Sequence, residues 1–298
     1  MVLRVAIPFG NLGRRADGFG GSDRFSSCAP VQARIGRRVI FMGVGVGIAA
    51  SGTLVPLLLQ QGLGETWLGL GVISLMLTAI AWRGWPKVDA PLANATHHRR
   101  AAPNGTLKAL YVEYALNAAG WVPHMIFLVD FVARGMGQGL QVGAQYWVLF
   151  GIGATVGPLF AGVLADRIGF GRALRLAFIV EAISVAVPAL GLGTGWLITS
   201  SVVIGAFVTG TVPLVLGRIH EILAHHPAQQ SSAWQTATVG FALFQAVAAY
   251  GLSFLFSYSD ENYSLLFIIG TSAMLLAFLI DVVAVAKNAI DSPVTSSK

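Results

Sequence analysis

Residues 144–172 read AQYWVLFGIGATVGPLFAGVLADRIGFGR. From Ala144 to Leu164 no side chain is charged, and a membrane-crossing helix needs about 20 predominantly apolar residues. The run therefore predicts one transmembrane span. It ends in Asp166, Arg167 and Arg172, interleaved with Gly169 and Gly171, and glycines permit a tight turn between helices. Asp166 is suited to accept bonds from a helix N-terminus, and the arginines to meet a helix C-terminus or a carboxylate. Contacts of that kind hold one conformation and break in another. Gly162, Asp166, Arg167, Gly169 and Arg172 are thus a candidate gating loop; the plainer alternative is a charged turn that only fixes topology.

The same pattern recurs on both sides. Apolar runs predict eight spans, at 39–60, 66–82, 109–132, 144–164, 174–193, 195–216, 233–256 and 263–286. Hydrophobic residues make up 55% of the chain, charged residues 11%, and mean hydropathy is +0.71. A soluble domain carries about 25% charged residues, so these charges are too few to solvate a globule of this length. An ordinary soluble enzyme, a disordered chain and a nucleic-acid module are excluded. The expected fold class is all-α, a polytopic membrane helix bundle in the lipid bilayer. Cys28 is the single cysteine, which leaves no internal disulfide and no thiolate metal site. Residues 1–9 are too short an apolar run for a secretory signal.

Lysine and arginine collect on the cytoplasmic side of membranes. With both termini placed there, that side holds every basic residue except Arg134, with Arg175 in the first turn of the fifth span beside it. The asymmetry supports eight spans and cytoplasmic termini, and it accounts for the pI of about 9.8 without nucleic acid. Residues 1–38, rich in Gly, Arg and Ser and without helical period, read as a disordered basic segment whose charge suits anionic head groups. Residues 83–108, with Pro86, Pro91 and Pro103, read as a cytoplasmic linker, and 287–298 as a cytoplasmic tail.

Glycines crowd the spans, as in Gly43-Val-Gly45-Val-Gly47 and Gly153-Ala-Thr-Val-Gly157. Small residues let membrane helices approach closely; a dinucleotide-binding loop would need a preceding strand. Pro56, Pro123, Pro158, Pro188 and Pro213 lie inside spans, where each removes a backbone hydrogen bond and can kink its helix.

The third span carries a polar face. At about 100° per residue, with Glu113 set at 0°, Asn117 falls near 40°, Gly120 near −20° and His124 near 20°. Asp130 falls near −100°, off that face, and is placed to pair with Arg134 at i+4. Polar groups inside a membrane are expensive and normally face a cavity or a partner, and a histidine can change charge near neutral pH. Glu113, Asn117 and His124 are therefore candidates for a proton relay or a polar substrate site. The plainer alternatives are a carboxylate reaching the interface and an interhelical hydrogen bond. Glu181 in the fifth span is a second coupling candidate, and Gln245 in the seventh a cavity candidate. Asp281 is expected to reach water. The pairs His97-His98 and His225-His226 lack companions at ligand spacing. No catalytic constellation, phosphate-binding loop or metal site stands out, so no enzyme activity and no cofactor is expected.

Gly162, Leu164, Ala165, Asp166, Arg167 and Gly169 resemble the G-x-L-A-D-R-x-G signature of the major facilitator superfamily. Phe170 and Gly171 replace its usual basic pair, with Arg172 just after. The stretch Tyr111-Val-Glu113-Tyr-Ala-Leu-Asn117-Ala-Ala-Gly-Trp-Val-Pro123-His124 through Arg134-Gly135 is similar to helix 7 of the YbfB/YjiJ-type branch. Tyr146-Trp147-Val-Leu-Phe-Gly151 and Pro213-Leu-Val-Leu-Gly217-Arg218 extend the similarity, which runs from about Arg38 to Ala286.

The resemblance implies that the eight spans correspond to family helices 5 to 12. Residues 39–82 are then a two-helix remnant of the N-terminal half, and 109–286 the complete six-helix C-terminal half. It further implies a secondary active transporter of a small organic solute, working by alternating access in a bacterial-type inner membrane. Proton coupling belongs to the same expectation. The candidate loop would latch the cytoplasmic face. The alternative expectation is an N-terminally truncated fragment that does not transport, or a half-carrier completed by a partner subunit or a homo-oligomer.

Overall fold

In lipid, backbone polar groups must be satisfied within the protein, and a helix does this inside one segment. The computed structural model describes residues 28–82 and 105–291, and every apolar run among them is helical. The expectations for residues 1–27, for most of the linker and for the end of the tail lie outside the described residues. The chain divides into units Met1–Val39 and Ile40–Lys298. In the first, the described stretch from Cys28 is helical. The second holds the membrane bundle.

The helices are α1 (Cys28–Leu59), α2 (Leu63–Trp82), α3 (Gly105–Gly135), α4 (Leu140–Ile168), α5 (Phe170–Leu190), α6 (Thr194–Ile222), α7 (Pro227–Tyr258) and α8 (Tyr263–Asp291). Each holds a window long and apolar enough to cross a membrane. Several start earlier than hydropathy alone predicts: α1 at Cys28, not 39, and α7 at Pro227, not 233. Hydropathy reads only the hydrocarbon-buried part of a helix, and polar residues continue these helices beyond it. The expectation that residues up to 38 lack helical structure is corrected from Cys28 onward.

Close backbone approach holds α4 against α6. A Cβ on Gly153 or Gly157 would strike the carbonyl oxygens of Val202 or Ala206, and one on Gly205 the carbonyl oxygen of Phe150. Hydroxyls add directional bonds: Thr209 Oγ1 donates to Ala154 O at 2.7 Å and Ser201 Oγ to Tyr146 O at 2.6 Å. Lipid tails give no hydrophobic drive between helices, so this packing and these bonds supply the association. The membrane portion of α1 docks on α4 in the same manner, through Gly45 against Thr155 and Gly151 against Ala49. Trp147 Nε1 donates to Ser51 Oγ at 3.1 Å across that contact. Gly43 and Gly47 meet open space instead, so of that glycine run only Gly45 is a packing residue.

α3 is irregular where it matters. It is α-helical over Gly105–Gly120, then π-helical over Pro123–Phe127 and again over Phe131–Gly135. Pro123 has no N–H to return and its ring crowds the preceding turn, so the turn widens. Gly270 of α8 fits beside that turn, and a Cβ there would meet Gly120 O at 2.5 Å and the Pro123 ring at 2.8 Å.

Candidate functional site

Between α3, α5 and α8 lies a file of buried polar side chains. Asn117 Nδ2 donates to Glu181 Oε2 at 2.7 Å and lies 3.3 Å from Met274 Sδ. Asn117 is 1% exposed and Glu181 fully buried. The second carboxyl oxygen, Glu181 Oε1, is buried without a protein partner. A buried charge is costly unless paired and hydrogen-bonded, and a single amide gives Glu181 only part of that.

One turn earlier on α3, Glu113 is also buried. The charges acting on it are those of Asp281, Arg218 and Arg175. Arg175 Nε donates to Asp281 Oδ2, tying α5 to α8 at the end of the bundle where the lysines and arginines gather. The expectation that Asp281 reaches water is corrected: Arg175 partners it and it is 6% exposed.

Further along α3, His124 is fully buried and packs edge-on against Phe267 at 5.3 Å. Its Nε2 lies 2.7 Å from Ser200 Oγ. That hydroxyl donates its one proton to Ser184 O at 2.7 Å, so it must accept from His124. The network therefore assigns the proton to Nε2 and leaves Nδ1 a bare acceptor, buried without a partner. The regular wheel puts Asn117 and His124 on one face. They lie seven residues apart, about 10 Å along the axis, and meet different partners: Glu181 for the first, Ser200 for the second.

Gln245 is not joined to this file. It is half-buried on α7, and its Nε2 approaches Met125 Sδ at 3.4 Å. At the far end, Arg134 holds Asp130 with two bonds, as its i+4 spacing predicts. Tyr263 Oη donates to Asp130 Oδ2 at 2.6 Å.

Gly169, at φ +83°, ends α4 and starts α5. The two residues that depart from the signature, Phe170 and Gly171, are those that dock the loop on α6. Phe170 N donates to Glu221 Oε1 at 3.3 Å, and its ring lies so close over Gly217 that no Cβ fits there. A Cβ on Gly171 would meet the Arg218 guanidinium at 3.0 Å. Arg218 Nη1 in turn donates to Glu221 Oε2 at 2.9 Å. Asp166, Arg167 and Arg172 are exposed and Gly162 half-buried.

The sequence alone does not point to Ser184, Ser200, Met274, Arg175 or Glu221. Arg175 reads there only as a topological charge, although it lies on α5 with Glu181. The serines carry no signal, since many spans contain them. Among the described residues, no cluster of His, Cys, Asp and Glu is arranged to hold a metal ion.

Residues 27–282 match the family described as "Uncharacterised MFS-type transporter YbfB". No curated protein matches the chain.

Proposed function

The chain belongs to the YbfB-type branch of the major facilitator superfamily, an integral, multi-pass membrane transporter by class, and from that premise we propose that it is a proton-coupled carrier of a small organic solute. It works by alternating access rather than as an enzyme. The observation that carries this reading is the Asn117–Glu181 contact: a fully buried carboxyl in the bundle, bonded on one oxygen and bare on the other. Protonation removes a charge that the surrounding helices offset only through one amide. Glu181 is the group that loads and releases the proton. Glu113 and the Arg175–Asp281 pair connect it to the basic end, which is the cytoplasmic side of an inner membrane with both termini inside.

The solute site occupies another face. Met125 and Ile126 of α3 are exposed, and Gln245 of α7 reaches Met125. Gln235 is exposed on α7 as well. Exposed amides are ill suited to hydrocarbon, which favours a water-filled cavity along α7. The same observation supports a second reading, a half-carrier that covers α7 with a partner subunit or a second copy. The α4–α5 loop is the gate, held shut by its contacts to Gly217, Arg218 and Glu221.

The test is reconstitution into proteoliposomes with an entrapped pH-sensitive dye. A panel of small organic solutes is screened for solute-evoked proton flux. Flux with the unaltered chain and none with Glu181→Gln supports the proposal; equal flux in both excludes Glu181 as the coupling group. A mass measurement in detergent separates one copy from a closed dimer.

A further inference from the structure

Between the start of α3 and the end of α8 lies a groove of about 580 Å³. That volume falls within the roughly 300–1,000 Å³ of small-molecule sites. Its walls are largely apolar: Leu276, Ile280 and Val283 recur at three- and four-residue steps on α8, and Ala109 lines it from α3. Among the described lining residues one side chain is charged, the exposed Lys287. We propose that this groove binds an anionic phospholipid, with an acyl chain along the α8 stripe and the head group on Lys287.

Three observations converge on that occupant. The first is depth. Lys287 follows directly on the apolar run 263–286 and Gly105 precedes the run 109–132, so the mouth lies where hydrocarbon gives way to head groups. A lysine there keeps its stem on apolar surface and its ammonium at the interface. The second is charge. The nearest acid before Lys287 on α8, Asp281, turns to Arg175 on α5 and is not among the groove's lining residues. Among the described lining residues the charge is that of Lys287 alone, and basic pockets between membrane helices suit anionic head groups. The third is polarity. Among its described lining residues the groove is apolar along the α8 stripe and charged only at the Lys287 end, which matches a lipid and not a small hydrophilic anion. This site is independent of the proposed proton file and of the identity of the solute.

The experiment titrates the purified, delipidated chain in neutral detergent with phosphatidylglycerol, with phosphatidylcholine of the same acyl chains, and with inorganic phosphate, reading the thermal unfolding midpoint. Phosphatidylglycerol is expected to reach half-maximal stabilisation at about five-fold lower concentration than phosphatidylcholine, the preference one lysine provides near an anionic head group. Lys287→Ala abolishes the preference and Lys287→Arg retains it. Ala284→Phe, which fills the groove, weakens both lipids. Lys287 is exposed, so its variants fold. Equal half-points for the two lipids in the unaltered chain would overturn the proposal, as would a preference that survives Lys287→Ala. Stabilisation by phosphate alone to the same extent would assign the lysine to a free anion and overturn it too. A preference lost with Lys287→Ala but untouched by Ala284→Phe would place the lipid outside the groove and likewise overturn it.

Discussion

Asn117 on α3 and Glu181 on α5 share a 2.7 Å hydrogen bond in the interior of the bundle, and that bond joins the polar face of α3 to the acid of α5. Interhelical hydrogen bonds in membranes average about 0.6 kcal/mol and reach about 1.7 kcal/mol. A double-mutant cycle of Asn117→Ala and Glu181→Ala is expected to give a coupling of about 1 kcal/mol in unfolding free energy. A coupling of zero would mean that the contact does not form in the membrane.

Ser200 satisfies two groups at once, the His124 ring and the Ser184 carbonyl. Ser200→Ala leaves both buried without that partner and is expected to cost about 1–3 kcal/mol. Nitrogen chemical shifts of labelled His124 should show the Nε2–H tautomer in the unaltered chain. In Ser200→Ala the fixed tautomer is lost and the two forms mix.

Close packing of α4 on α6 sets two glycines apart. Gly157→Val drives a side chain into the Ala206 carbonyl and costs about 3 kcal/mol or prevents folding. Gly43→Val meets nothing within 4 Å and stays within about 0.5 kcal/mol of the parent, as surface changes do. Thermal midpoints of the two variants in one detergent check the contrast.

Much of the fold is legible in the sequence because membrane helices advertise themselves through uncharged length, and because few charges fall anywhere but the turns. The Asp130–Arg134 pair is legible too, since i+4 spacing is local. The partners of Asn117 and His124 are not. Glu181 is 64 residues from Asn117 in sequence, and only helix packing brings them together. The π turns over Pro123–Phe127 and Phe131–Gly135 break the regular wheel, so faces beyond His124 cannot be projected from Glu113. Asp281 looks solvent-bound in the sequence because its partner, Arg175, reads there as a topological charge.

The docking of the α4–α5 loop rests on the residues where the signature departs. Glu221→Ala removes both the bond to Phe170 N and the pair with Arg218. Because that pair is exposed, stability should change by no more than about 1 kcal/mol. Amide exchange over residues 165–175 should nonetheless accelerate if Glu221 helps hold the gate. Unchanged exchange would leave the loop a topological turn.

The most direct measurement is proton flux into proteoliposomes holding the unaltered chain or Glu181→Gln, both shown folded by the same thermal transition. Glutamine keeps a carbonyl oxygen for Asn117 but cannot carry the proton. Coupling through Glu181 predicts solute-evoked flux with the unaltered chain and none with the variant, while solute binding persists. Flux of equal size through the variant would contradict it.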